Sequence, residues 1–368
     1  MKKIVIASDS FKGTISSKEI ADIYESVVKE NNLDIEVKKV VLGDGGENTL
    51  EVFAGNFPHG QYHELEVTGP DFNKVNAKYY TYNDTAVIEL AEAAGLPLMI
   101  EKNTKVATTF GVGELILDAY NKGFKKFYVA LGGSASTDGG CGLLSALGVK
   151  FLDKNNKQFI PLGENLHRIQ SIDDSGLKVK DAHFIILSDV KNSMYGDKGA
   201  ACIYAKQKGA TPEDVELLDN NLKYLNDLFV KQTSKHVENV EGAGAAGASG
   251  AGILAFLDAA IVSGIDTILA IINFKGIIKD ADYVITGEGR LDYQSFDGKL
   301  ISGVLKITKE MRVPTICVCG SSRIENPKDS GFYAIYQTSA QDGLDYKKYA
   351  RDFYISTASQ VIKDISNI

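Results

Sequence analysis

A chain of 368 residues exceeds what one hydrophobic core usually supports, so two domains are expected. Apolar residues at 44% and charged residues at 24% fit a soluble globular protein, and a net charge of −8 argues against an extended nucleic-acid or anionic-membrane surface. No apolar run reaches the length of a membrane span, and Asp9 and Lys12 interrupt the first apolar stretch too early for a signal peptide, which points to the cytoplasm.

Strand-like and helical runs alternate from the start, the pattern of an α/β protein with a parallel sheet. Lys3 to Ala7 reads as a strand, followed by Asp9-Ser10-Phe11-Lys12-Gly13. Ser16-Ser17-Lys18-Glu19 is a capping box that opens a helix to about Glu30, with Ile20, Ile23, Tyr24, Val27 and Val28 on one face. Val37 to Leu42 is a second strand, its end marked by the Asp44-Gly45-Gly46-Glu47-Asn48-Thr49 turn, and a helix begins near Leu50. From His63 the period changes to two, in Leu65-Glu66-Val67 and Val75 to Tyr80, which predicts antiparallel hairpins and a new domain. Thr109 precedes a helix over 113–121 closed by Gly123, and Lys125 to Ala130 is a buried strand. Phe184 to Leu187 is another strand, and Thr211-Pro212 starts a helix with Thr as N-cap. In the last third, Asp282 to Thr286, Pro314 to Cys319 and Tyr333 to Tyr336 complete the sheet begun at the N-terminus. The middle is therefore an insertion, with expected domains at 1–64 plus 275–368 and at 65–274.

Cys141, Cys202, Cys317 and Cys319 read as small apolar residues, and the five histidines show no metal-ligand spacing; His59 and His63 are expected near a loop.

Chemistry concentrates where strands end. After the strand at Ala130 comes Leu131-Gly132-Gly133-Ser134-Ala135-Ser136-Thr137-Asp138-Gly139-Gly140-Cys141-Gly142, a glycine-rich turn leading into a helix. Backbone N–H groups without Cβ shielding, at a helix N-terminus, attract phosphate, and Asp138 is placed to hold an accompanying cation. No Gly-Lys-Ser/Thr follows, so this is not a Walker A loop. Four further strand ends carry Asp9 to Gly13, Asp44 to Thr49, Ser188-Asp189-Val190-Lys191-Asn192, and Thr286-Gly287-Glu288-Gly289-Arg290-Leu291-Asp292 continuing to Lys299. Arg290, preceded by the flexible Gly287 and Gly289, suits bidentate recognition of carboxylate or phosphate. A phosphate cradle, carboxylates, cations and a base together match phosphoryl transfer, whereas the absence of His from these turns disfavours a nucleophilic triad. Gly242 to Gly252 contains a formal G-x-G-x-x-G, but the polar His236 to Glu241 before it is no buried strand, so a dinucleotide fold is not indicated.

These blocks, together with Gln207-Lys208-Gly209-Ala210-Thr211, resemble the type I bacterial glycerate kinase family along nearly the whole chain. The sequence departs from the family pattern at Ser8 (commonly Pro), Asn48 (commonly Gly), Thr137 (often Asn) and Ser193 (commonly Pro). The resemblance implies a two-domain α/β enzyme, one domain a flavodoxin-like doubly wound sheet and the other a mixed α/β insertion. It would phosphorylate D-glycerate with ATP and Mg²⁺, giving 2-phosphoglycerate in the usual case. In that reading Gly132, Gly133, Ser134, Ala135, Ser136 and Lys299 hold the nucleotide, and Asp138 or Asp44 holds Mg²⁺. Ser10, Lys12, Asp44, Glu47, Arg290 and Asp292 bind glycerate, with Lys12 and Arg290 on its carboxylate or the moving phosphoryl group. Asp189 orients or deprotonates the hydroxyl. A nicotinamide-dependent hydroxy-acid dehydrogenase and a non-catalytic ligand sensor are the alternatives, and a homo-oligomer is left open.

Overall fold

Two units share the chain: Met1–Asp44, Glu51–Asn56 and Ile265–Ile368 form the first, and Gly45–Leu50 with Phe57–Gly264 the second. The computed structural model describes residues 1–11, 13–43, 45–46, 48–296, 299–324, 326–338 and 346–366. The first unit opens with β1 (Lys2–Ile6), α1 (Ser17–Glu30) and β2 (Ile35–Lys39), and α2 (Thr49–Asn56) divides between the two. The second unit then runs through β3 (Gln61–Thr68), β4 (Lys74–Tyr82), β5 (Thr85–Glu89), α3 (Ala91–Ala94), α4 (Phe110–Asn121), β6 (Lys126–Ala130) and α5 (Cys141–Ala146). It continues with β7 (Lys150–Leu152), β8 (Gln158–Phe159), β9 (Ser171–Asp173), β10 (His183–Leu187), α6 (Ala200–Tyr204), α7 (Pro212–Thr233), α8 (Ala245–Phe256) and β11 (Asp258–Val262). The first unit resumes in α9 (Gly264–Ile271), α10 (Phe274–Ile278), β12 (Tyr283–Leu291), α11 (Leu300–Met311), β13 (Thr315–Ser322), α12 (Pro327–Ser330), β14 (Ala334–Gln337) and α13 (Tyr346–Ser366).

In the first unit the sheet order is β2-β1-β12-β13-β14, parallel throughout. Taken as the unit's own succession of strands, that order is second, first, third, fourth, fifth, the flavodoxin-like arrangement the resemblance implied. Ile4, Val5 and Ile6 are fully buried, as a central parallel strand covered on both faces requires. The capping box of α1 forms as expected, with Ser16 Oγ accepting from Glu19 N and Glu19 bonding back to Ser16 N. Ile20, Tyr24, Val27 and Val28 of α1 pack in one cluster with Tyr354, Val361 and Ile362 of α13. The order reverses between β1 and β12, and ligands of such sheets bind at that switch, beyond the strand carboxyl ends.

The second unit holds a six-stranded sheet, β11-β10-β6-β5-β4-β3, and a small antiparallel one, β8-β7-β9. The strands from β11 to β5 run parallel, whereas β5, β4 and β3 form the antiparallel hairpins expected from their period-two pattern. Its core gathers Phe127, Val129, Leu143, Phe184, Ile186, Leu222 and Phe229.

The division falls earlier than the expected 64/65 and 274/275 boundaries. Pairing of β3 with β4 starts at Gln61↔Thr81, which commits the whole hairpin to the second unit. Downstream, Ile265 and Leu269 of α9 lie against Gly303 of α11, which draws α9 into the first. His63 sits within β3 rather than near a loop, stacked on Tyr79 with ring centroids 4.8 Å apart. Cys141, Cys317 and Cys319 are buried thiols. No helix among the described residues is long and apolar enough to cross a membrane.

Candidate active site

Four parallel strands of the second unit end side by side. Glu89 of β5 pairs with Ala130 of β6, Ala130 with Leu187 of β10, and Leu187 with Val262 of β11. Two further bonds, Leu131 N to Leu187 O at 3.2 Å and Ser188 N to Val262 O at 3.2 Å, carry the ladder into the turns beyond. The edge therefore presents the glycine-rich turn, Asp189 and Gly264 together. Half-buried Asp189 accepts from Gly264 N at 2.9 Å. Gly45 joins the same edge: its φ is +79°, and a Cβ there would sit 2.8 Å from Gly264 Cα and 3.0 Å from Leu187 Cβ. Glu89 fixes the rest of that turn by accepting from Asn48 N at 2.9 Å and Leu50 N at 3.2 Å. A carboxylate at the start of α2 also complements the positive end of the helix dipole.

The glycine-rich turn is anchored along its length. Gly133 O accepts from Leu96 N at 2.8 Å, and Ala135 N donates to Ala94 O at 2.8 Å. Asp138 is fully buried beneath it, one oxygen taking the Thr109 N–H, the Thr109 hydroxyl and Gly142 N, the other taking Gly140 N. Burial pushes its carboxyl up from the ordinary value while those donors pull the other way. With its acceptor positions turned to the protein, Asp138 does not fit the cation-holding role expected of it; it is the keystone of the turn.

Of the expected phosphate cradle, Gly132, Gly133 and Ser134 line a pocket of about 540 Å³, a size that suits a small organic ligand. Ala135 and Ser136 lie behind its wall: Ala135 is buried with Met99 and Ala107, and Ser136 is fully buried. Tyr204, Ala245, Ala246 and Lys208 also line it. Lys208 is buried, and its ammonium donates to Ser134 Oγ at 2.7 Å and Ser136 O at 2.8 Å. Burial lowers its pKa from 10.5 to about 7. No role was expected for this residue, although the Gln207-Lys208-Gly209 block was evident. Its place shows only in the fold, where Gly209 after it is held at φ +92° and a Cβ would strike Lys102 O at 2.1 Å.

The second glycine-rich stretch also faces this pocket. Ala246, Gly247 and Ala248 adopt φ of 53°, 65° and 67°, breaking α8 with three left-handed residues. Gly247 O accepts from Gly139 N at 3.1 Å, and a Cβ on Gly247 would stand 2.1 Å from Ser136 O. The run is a buttress for the glycine-rich turn, and the segment before it is turn and coil rather than strand, as its polarity indicated.

Ser10, Lys12, Asp44, Arg290, Asp292 and Lys299 belong to the first unit, and Glu47 to the second. Asp9 N bonds Gly287 O at 3.0 Å at the switch between β1 and β12, and Gly289 lies against Phe11 Cα. Ser10 and Arg290 thus flank one strand edge. Ser10 N donates to Asp9 at 2.7 Å, and exposed Arg290 has its Nε 3.7 Å from Asp292. Gly287 permits the β12–β13 pairing, because a Cβ there would lie 1.9 Å from Val318 O. Lys299 is the N-cap of α11 and exposed. Lys12, Asp44 and Glu47 lie outside the described residues. Among the described residues no group of three His, Cys, Asp or Glu could hold a metal ion.

The sequence matches the family described as "Glycerate kinase family" over residues 4–364. It is 41% identical over 325 residues to a chain from Escherichia coli K12 named Glycerate 2-kinase, covering 87% of this chain and 85% of that one. A Bacillus subtilis 168 chain named Glycerate kinase is 39% identical over 342 residues, covering 91% and 87%. The crystal structure of a Salmonella typhimurium LT2 protein assigned as glycerate kinase 2 superposes with a TM-score of 0.87 at 34% identity, covering 100% of this chain and 98% of that one.

Proposed function

The chain belongs to the glycerate kinase family, and from that premise we propose that it transfers the γ-phosphoryl group of ATP, with Mg²⁺, to the 2-hydroxyl of D-glycerate in the cytoplasm. It is a phosphotransferase with an alcohol acceptor. The observation that carries the choice of position is its 41% identity to a chain named Glycerate 2-kinase. The dehydrogenase alternative loses its footing, because the G-x-G-x-x-G is a buttress following coil and not a strand–turn–helix.

ATP is assigned to the pocket of the second unit, its phosphates on Gly132, Gly133 and Ser134. Glycerate is assigned to Ser10, Lys12, Glu47, Arg290 and Asp292, whose polar groups suit a small hydroxy acid; Asp292 beside Arg290 would hold the guanidinium in place. The glycerate 2-oxygen attacks the γ-phosphorus, the bond from phosphorus to the bridging oxygen breaks, ADP leaves, and Asp189 takes the hydroxyl proton. The phosphoryl transition state is loose, so positioning and charge stabilisation outweigh base strength.

Mg²⁺ is assigned as a companion of the nucleotide and not to a dedicated cage, since no group of three His, Cys, Asp or Glu gathers for a metal among the described residues. Mg²⁺ keeps several waters and takes phosphate oxygens beside one or two carboxylates, and with Asp138 committed elsewhere Asp44 is the acid to hold it. When bound, Mg²⁺ neutralises charge developing on the phosphoryl oxygens.

The test is direct. Purified protein is incubated with ATP, Mg²⁺ and D-glycerate, then enolase is added. Phosphoenolpyruvate appearing at once supports 2-phosphoglycerate; a requirement for phosphoglycerate mutase would make the product 3-phosphoglycerate and overturn the assigned position.

A further inference from the structure

We propose that Lys208 is a phosphate-binding cation of the 540 Å³ pocket: its ammonium, tied to Ser134 Oγ and Ser136 O, gives its remaining hydrogen to a phosphoryl oxygen of the nucleotide. This deepens the assignment of ATP to that pocket and rests on it. An ammonium carries three N–H donors, and among the described residues two are used. No carboxylate of the described residues pairs with it; the acid behind it, Asp138, is bonded to Thr109, Gly140 and Gly142. A buried charge without a counter-ion is costly, and a tether to a hydroxyl and a carbonyl needs no charge. The arrangement makes sense when the missing anion arrives with the ligand.

The backbone holds the side chain ready. Lys208 ends the turn Lys206–Lys208, its carbonyl accepts from Thr104 N at 3.2 Å, and Gly209 behind it is wedged against Lys102. Ser136 Oγ is buried without a partner among the described residues, so this corner of the turn holds unspent polar capacity. The titratable groups around the ammonium are Asp138 behind the turn and Lys102 and Tyr204 in the pocket wall. Desolvation leaves Lys208 with a pKa of about 7, so at pH 8 the ligand-free side chain is mostly neutral. Phosphate favours the charged form, and nucleotide binding should therefore take up a proton.

Calorimetric titration of the full chain with Mg·ADP at pH 8, in Tris and in HEPES, reads that proton as a buffer-dependent enthalpy. The expected uptake approaches one proton in the wild type and vanishes in Lys208→Met, with ADP affinity reduced between about tenfold and a hundredfold. Adenosine, which lacks phosphate, should bind both proteins equally. ADP binding without proton uptake by the wild type overturns the proposal, and needs no variant to fold. Equal loss of ADP and adenosine binding in Lys208→Met also overturns it, since Lys208 would then only shape the pocket. If wild type binds adenosine but gains nothing from the phosphates, this inference fails alone. If it binds neither, the nucleotide assignment fails with it.

Discussion

Thr109 gives both its backbone N–H and its hydroxyl to one oxygen of Asp138, at 2.9 and 2.8 Å, while its own Oγ1 accepts from Leu143 N at 2.9 Å. That single pairing ties the start of α4 to the glycine-rich turn and to α5. Asp138→Ala would strand four buried donors, at a cost on the order of 3 kcal/mol or more. Urea unfolding should show that loss. In the milder Asp138→Asn, the Mg²⁺ concentration for half-maximal activity should stay where it is in the wild type. A large shift in that concentration, with stability retained, would return Asp138 to the metal.

Gly247→Ala should damage catalysis out of proportion to stability. The added methyl must displace Ser136 O, 2.1 Å away, and with it the turn proposed to hold the nucleotide. Misplacement by about 1 Å can cost a hundredfold in rate, so kcat/KM for ATP should fall by at least tenfold. Gly196→Ala is the control, since it also has positive φ, +90°, but nothing within 4 Å. If both variants show the same kinetics, the buttress does not govern the turn.

Periodicity and strand-end chemistry were legible because they are local. The capping box at Ser16, the hairpin of β3 and β4 and the glycine-rich turn after β6 all stand where residue spacing alone puts them. What the sequence hid depends on partners distant along the chain. Asp138 looked like a ligand because its neighbours are glycines, and only Thr109, 29 residues away, shows it to be capped. Lys208 lies 74 residues from Ser134, so no spacing rule links them. The domain boundary moved for the same reason, since strand pairing and helix packing assign residues that composition leaves neutral.

Asn48 illustrates a family departure with a physical reason. It stands where glycine is common, at φ +64°, a left-handed conformation that costs Asn less than it costs Ala. Asn48→Gly should leave the melting temperature nearly unchanged, and Asn48→Ala should cost about 1 kcal/mol. Equal stability for the two variants would mean the strain is relieved elsewhere.

Arg290 and Asp189 should separate kinetically. Arg290 is 56% exposed, so Arg290→Ala should barely alter melting while raising KM for glycerate and cutting kcat/KM by roughly a hundredfold. Asp189→Asn should lower kcat with glycerate KM largely kept, as loss of a group acting on the hydroxyl predicts. Near-normal kcat in Asp189→Asn removes it from proton transfer.

The buried ammonium also sets a pH dependence of folding. Lys208 has a folded pKa of about 7 against 10.5 when unfolded. Between those values the unfolded chain holds a proton that the folded chain has released, so stability rises with pH across the window. Below pH 7 both states carry the charge and its burial cost is fully felt; above 10.5 neither does. Subtracting the stability of Lys208→Met cancels every other titrating group. The difference, wild type minus variant, should climb from pH 7 to pH 10 with a slope approaching 1.4 kcal/mol per unit, the about 1.4 kcal/mol that one proton contributes. A flat difference would mean the lysine keeps its charge in the fold, held by an anion or by water, and urea unfolding at four or five pH values is enough to decide.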